Sequence, residues 1–154
     1  RDYPNRFSFI YDYCYFSDLI TEHHQVLALT ERGKAAVIEN RKEDPVHVYR
    51  FWLRLYKGPI PQLQSIVQWL NRLGGSWVTL SSLKETLGPL IRPFYYDSAD
   101  AILEQRILQM MMHLGLLRIG EDEHKGTVIQ ISKLGSRIIE GTYVPDENPL
   151  VLDV

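Results

Sequence analysis

The chain has 154 residues, 45% of them hydrophobic, 11% aromatic and 23% charged, with a net charge of −2. That composition is ordinary for a globular protein and excludes fibrous and disordered classes, while the near-neutral balance gives no global basic field toward nucleic acid. One cysteine, Cys14, excludes an internal disulfide and any multi-cysteine zinc site, and fits a reducing, cytoplasmic setting. No apolar run reaches the length of a membrane span, so no membrane partner is expected. The chain opens at Arg1 within what reads as a structural unit, so it is expected to be a piece of a larger protein.

Residues 3–20 are aromatic-rich. Pro4 can open a helix, and Phe9, Tyr13 and Phe16 have helical spacing. The alternation of Phe7, Phe9, Tyr11, Tyr13 and Tyr15 also fits a strand, so both readings stand. Base stacking is the functional reading of such a run, and a buried core is the commoner one. Residues 19–29 read as a hairpin around the polar turn Thr21-Glu22-His23-His24-Gln25. His23 and His24 are adjacent, so on a strand they point apart and cannot easily share a metal. Thr30 is a good N-cap for a helix running to about Asn40. Gly33 inside that helix predicts a close backbone approach, because glycine there otherwise costs about 1 kcal/mol.

Asp44 and Pro45 open the next helix as cap and first residue. Val48, Phe51, Trp52, Leu55 and Tyr56 form its apolar face, and Gly58-Pro59 ends it. Arg50, Arg54 and Lys57 make the best basic stripe in the chain, although a solvated face is the commoner explanation of such a stripe. Residues 61–73 follow as a helix with Leu63, Ile66, Val67, Leu70 and Leu73 inside. Gly74-Gly75 stops it, residues 77–80 form a short strand, and Ser82 with Glu85 has the spacing of a capping box for a helix over 83–87. A loop with Arg92, Pro93, Phe94, Tyr95 and Tyr96 leads to Asp97 or Ser98, either of which can cap a long helix. The run 98–141 then reads as that helix, a hairpin and a closing helix.

This order resembles the winged-helix superfamily, fully over 61–141 and in its latter part over 16–40. Leu29-Thr30-Glu31-Arg32-Gly33 lies over Ile131-Ser132-Lys133-Leu134-Gly135, and Val37 over Ile139. The shared feature is the Leu-Thr-x-x-Gly junction found after the wing in many winged helices. It recurs in helicase-associated bacterial proteins, where a tail such as residues 144–151 would lead to a further domain. The resemblance implies a mainly helical α+β fold with small β-hairpins, one partial and one complete winged helix-turn-helix. The expected divisions are a partial unit over 1–43, a connecting helix over 44–58, a complete domain over 59–143 and an extended tail over 144–154.

The resemblance also implies that the long helix enters the DNA major groove. Groove reading needs outward Arg, Lys, Asn or Gln and cations at the rim. Winding at 3.6 residues per turn puts Ala99, Leu103, Ile107, Met110 and Leu114 inward. The outer face then carries Ala101, Gln105, Leu108 and Met112, flanked by Glu104 and Gln109. Leu108 and Met112 have no role in a polar groove, and the turn Glu121-Asp122-Glu123-His124-Lys125-Gly126 opens with three acids that would repel phosphate. Ala101, Leu108 and Met112 are therefore candidate protein contacts.

The favoured expectation is a non-enzymatic interaction module of a larger DNA-handling or transcription-related protein, touching a protein partner or other domains of the parent chain, with a homodimer as an option. Direct binding of double-stranded DNA is the alternative, through Gln105 and Gln109 with Arg106, Arg92, Lys125, Arg50, Arg54 and Lys57 at phosphates. No catalytic, metal-binding or cofactor signature appears, and His47, His113 and His124 stand apart in sequence.

Overall fold

The computed structural model describes residues 5–94 and 96–145. Pro4, Tyr95 and most of the expected tail lie outside them. The protein is mixed α+β with two small antiparallel sheets. The chain divides into two compact units, residues 1–48 and 49–154.

In the first unit, α1 (Asn5–Phe16) is followed by β1 (Ile20–His23), β2 (Val26–Leu29) and α2 (Glu31–Ile38). The aromatic run is therefore helical. Rings four residues apart stack along it: Phe9 on Tyr13 and Tyr11 on Tyr15, each pair with centroids 6.4 Å apart. This i,i+4 pairing exists only on a helix and outweighs the two-residue alternation. Tyr13 is buried, donates a hydrogen bond to Glu43 and meets His47 edge-on. The β1–β2 hairpin turns at His24 and Gln25, whose φ angles of 50° and 65° are those of a two-residue left-handed turn. His23 consequently belongs to the strand, opposite Val26.

The helix α3 (Pro45–Tyr56) begins as expected, with Asp44 Oδ1 accepting from the Val46 N–H at 3.0 Å. The division between units falls inside α3, so the expected connector belongs partly to each. Its stretch after the division carries the buried Tyr49, Phe51, Trp52, Leu53 and Leu55.

The second unit continues with α4 (Leu63–Leu73), β3 (Val78–Thr79), α5 (Leu80–Leu87), α6 (residues 99–113), β4 (Leu117–Asp122), β5 (Gly126–Ile131) and α7 (Lys133–Gly141). Its sheet has the order β3-β5-β4, with Val78 opposite Ile129 and Leu117 opposite Ile131. The expected capping box at Ser82 is absent. Thr79 caps α5 instead, accepting from the Ser82 N–H at 3.1 Å, so the helix starts three residues earlier and the strand shrinks to two. Ser98, not Asp97, caps α6. Side-chain amides stitch α4 to the end of the unit. Gln64 both donates to the Val144 carbonyl and accepts from its N–H, and Gln68 donates to the Ile139 carbonyl.

The strand-to-helix junction is built twice. Thr30 N–H donates to the Leu19 carbonyl at 3.1 Å, and Ser132 N–H to the Leu116 carbonyl at 3.0 Å. Each hydroxyl donates back, to Asp18 O and Gly115 O, and accepts at 2.9 Å from the N–H of Gly33 or Gly135. The upstream helix ends match as well. Ser17, Asp18 and Leu19 N–H donate to Tyr13, Tyr15 and Cys14, as Leu114, Gly115 and Leu116 do to Met110, Met112 and Met111. Asp18 and Gly115 both take positive φ, 57° and 78°. The repeat thus reaches back through α1, further than the hairpin-and-helix copy expected from sequence. The second hairpin is five residues longer, since the offset between copies is 97 at Leu19 and Leu116 but 102 at Thr30 and Ser132.

A Cβ added to Gly33 would lie 2.0 Å from the Leu19 carbonyl oxygen, and one added to Gly135 would lie 1.9 Å from that of Leu116. Backbone has to move to admit it. Gly33→Ala and Gly135→Ala should each destabilise their own unit by about 3 kcal/mol or more. Amide hydrogen exchange followed separately in residues 5–48 and 49–145 checks this: protection should collapse in the mutated unit first.

Candidate functional site

The long helix α6 was the expected site, and its winding is not uniform. It runs as α-helix over Ala99–Ala101, π-helix over Ile102–Leu108 and α-helix over Gln109–His113. At the junction the Gln109 N–H donates to Glu104 O, five residues back. An i→i−5 turn holds one residue more than an α-turn and shifts the phase of everything after it. Side chains five apart then share a face. Ile102 with Ile107 and Leu103 with Leu108 are all buried, and Met110 and Met111 follow them.

This corrects the expected outer face. Leu108, assigned outward by 3.6-residue winding, is 1% exposed and is a core residue. Ala101 is half-buried, and Met112 alone of the three protein-contact candidates is exposed, at 37%. Gln105 and Gln109 are exposed as expected. Arg106 is not at liberty to reach a phosphate, because its Nε donates to Asp97 Oδ2 at 2.7 Å. Glu104 is held by Lys84 at 3.3 Å. Arg92 and Lys125 are exposed. The expected stripe on α3 breaks up: Arg50 is exposed, whereas Arg54 and Lys57 are half-buried and engaged with neighbours. Arg54 stands between the buried Leu53 and Leu55, and Lys57 follows the last residue of the helix.

The β4–β5 turn is ordered by its own acid. Asp122 Oδ1 accepts from the His124 and Lys125 N–H groups, both at 2.9 Å, and these bonds hold its carboxyl below the ordinary carboxylate range. Glu121 accepts from Thr127 Oγ1 at 2.6 Å. Two of the three acids of this turn, Glu121 and Asp122, are thus engaged by the turn and the strand pair. One cation escaped the sequence reading: Arg118 lies over Trp77, 5.6 Å from the ring centroid, and donates to Gln130 at 2.6 Å.

A group of exposed aliphatic side chains lies in the first unit. Val26, Leu27, Leu29, Val37 and Ile38 are 66%, 50%, 45%, 66% and 83% exposed. Their counterparts under the repeat tell what such positions do when covered. Ile129, Ile131 and Ile139 stand where Leu27, Leu29 and Val37 stand, and they are at most 7% exposed. A groove of about 460 Å³ opens in the same unit, between α1 and the hairpin, with Phe7, Tyr11 and Leu27 among its walls and the carboxyls of Asp12 and Glu22 at its side. Tyr11 donates to Glu22 at 2.6 Å, which lifts the phenol's pKa, and burial lifts that of Asp12. Sequence reasoning did not find this face. Its signal was present in the alignment of the two copies, where core positions of the second unit fall on exposed positions of the first.

Among the described residues no group of three His, Cys, Asp or Glu could hold a metal ion, and no helix is long and apolar enough to cross a membrane. His47, His113 and His124 are all exposed, and His47 packs against Tyr13.

Two outcomes follow from this geometry. Leu108→Ala should destabilise the second unit by about 2–5 kcal/mol, and Met112→Ala by less than about 0.5 kcal/mol, read by denaturant unfolding; equal costs would mean uniform α-helical winding. The Asp122 carboxyl should titrate below an ordinary aspartate by NMR. Its folded pKa is depressed, so the wing turn gains stability above the unfolded pKa and loses it as pH falls through the folded one.

In comparisons with protein-family models, curated proteins and solved structures, nothing matches this chain.

Proposed function

We propose that the chain is a non-enzymatic protein-interaction module built from winged-helix units, one complete and one partial, within a larger DNA-handling or transcription-related protein. The order helix, short strand, helix, long helix, strand, strand, helix supports the fold reading, as does the pairing of the short strand with the second arm of the hairpin. The link to DNA handling comes from the winged-helix resemblance. One observation carries the interaction reading: the first unit exposes five large aliphatic side chains on β2 and α2, and the repeats of three of them, Leu27, Leu29 and Val37, are core. Exposed apolar surface of that kind marks a contact site. The contact surface is therefore β2 and α2, not the long helix of the second unit.

The alternative, direct DNA reading, is favoured by the exposure of Gln105 and Gln109 four residues apart on one helix. It is weakened by the engagement of Arg106 with Asp97 and by the acidic wing, since phosphate contacts need available cations.

Incubation with random duplex DNA at low salt should give no retardation on a native gel, and a retardation that fades as salt rises would overturn the reading. An environment-sensitive apolar dye should brighten with the protein and lose most of that signal in the double variant Leu27→Asp, Val37→Asp. A dye signal unmoved by both changes would place the accessible apolar surface elsewhere.

A further inference from the structure

The outer face of the second unit's sheet holds a group of side chains that the core does not use. Cross-strand pairing sets Arg118 opposite Gln130 and Gly120 opposite Val128. These four share one face, because Leu117, Ile129 and Ile131 are buried on the other. Val78 stands opposite Ile129, so the same register one residue back brings Trp77 beside Gln130. The row across the sheet is therefore Trp77, Gln130, Arg118. The tip of the indole reaches Gly120, where an added Cβ would lie 3.7 Å from Trp77 Cη2 and Cζ3. The Arg118 guanidinium lies over the ring, 5.6 Å from its centroid, and donates to Gln130, whose own amide donates to Gly75 O at 3.3 Å. Trp77 is nevertheless 49% exposed.

A second pair stands at the end of α4. Arg72 lies over Trp69, 5.4 Å from the ring centroid, and that ring is 47% exposed. Gly74 and Gly75 join this helix end to the sheet, with Gly74 O accepting from the Ile131 N–H at 2.8 Å. Among the described residues neither Arg72 nor Arg118 pairs with a carboxylate, whereas Lys34, Arg41, Lys84 and Arg106 each do. The one acid on this face of β4, Asp122, is turned onto the amides of its own turn.

We propose that this face binds single-stranded nucleic acid, with a base stacked against the Trp77–Arg118 pair and phosphates of the strand at Arg118 and Arg72. Unpaired bases stack on aromatic rings and on guanidinium planes alike, and both members of the pair offer such a plane. Cations beside the rings follow the backbone, and every base has a π-face, so the site accepts a strand without regard to sequence. The charge selects a polyanion, since the two arginines carry no carboxylate partner among the described residues. The rings then select among polyanions. A duplex hides its base faces in its own stack, and an acidic peptide has no base to offer. The site uses neither β2 and α2 nor the long helix, so it adds to the interaction reading and does not rest on it.

The test uses the full chain and a fluorescein-labelled oligothymidylate of about 20 nucleotides, longer than the site of a single binding domain. Fluorescence anisotropy should rise saturably at low salt and fall as salt is raised. Trp77→Ala and Arg118→Gln should each weaken binding about tenfold or more. Trp77→Phe, which keeps a ring on the sheet, should restore most of what Trp77→Ala loses, and this separates stacking from loss of fold. Three unlabelled competitors should each displace the strand about tenfold less well than oligothymidylate does: an abasic strand of the same length, duplex DNA and polyglutamate. Absence of saturable binding overturns the proposal, as does full binding by Arg118→Gln or Trp77→Ala. Equal displacement by the abasic strand or the duplex would reduce the contact to charge and overturn the stacking assignment. Equal displacement by polyglutamate would make an acidic polypeptide the occupant and overturn the nucleic-acid assignment.

Discussion

The contact on which both units depend is a single carbonyl, Leu19 in one and Leu116 in the other. It accepts the N–H of the residue that caps the following helix, and the third residue of that helix rests against it with no room for a Cβ. The cap hydroxyl adds a second tie, to the residue before the carbonyl. Strand pairing, helix start and helix position are therefore set at one point. Three hydrogen bonds at the end of the preceding helix fix how the chain arrives there. A hairpin between two helices could adopt many angles, and this junction leaves it one. The hairpin arms can differ in length, as they do, because nothing in the junction depends on how far they extend.

That junction was legible in the sequence, since Thr30 and Ser132 with glycine three residues on have few other uses at the end of an apolar strand. Element order in 61–141 was legible for similar reasons: Gly74, Ser98 and the apolar periods act locally. What was not legible came from interactions that periodicity does not encode. The π-helical turn over Ile102–Leu108 satisfies the same backbone groups with a different spacing, and only the burial of Leu103 and Leu108 together reveals it. A uniform helix turned Leu108 outward and made a contact site from a core residue. The left-handed turn at His24-Gln25 lacks the usual asparagine and glycine, so the turn expected over residues 21–25 took in Thr21, Glu22 and His23, which belong to β1. Thr79 and Ser82 both offered hydroxyl caps, and the strand pairing of Thr79 with Val128 decided between them.

Identical junctions meet different fates in the two units. In the second, the short β3 pairs with β5 and α5 packs on it, and amides from Gln64 and Gln68 tie Val144 and Ile139 back to α4. In the first, the same aliphatic positions stay in water, and the buried residues are few: Phe9, Tyr13 and Gly33. Burial of a leucine or valine side chain is worth about 1.5–3 kcal/mol. The first unit thus forgoes, at Leu27, Leu29 and Val37, stabilisation that the second collects at Ile129, Ile131 and Ile139. Its order depends more heavily on the junction and on Tyr13 with Glu43 and His47.

This asymmetry moves the functional argument off the helix where the resemblance placed it. On α6 the polar groups that could read a base stand among side chains already committed, Glu104 to Lys84 and Arg106 to Asp97. Recruiting either for phosphate would break an ion pair the fold has made. On β2 the backbone groups of the outer edge have no described strand partner and the aliphatic side chains beside them are exposed, while in the groove Glu22 already accepts from Tyr11. Covering that edge breaks no described strand pairing and returns the unit to the arrangement its sibling already has. An open strand edge is otherwise a hazard, since it templates aggregation. The strand β2 carries no proline or lysine, and its length of four residues is what limits such templating.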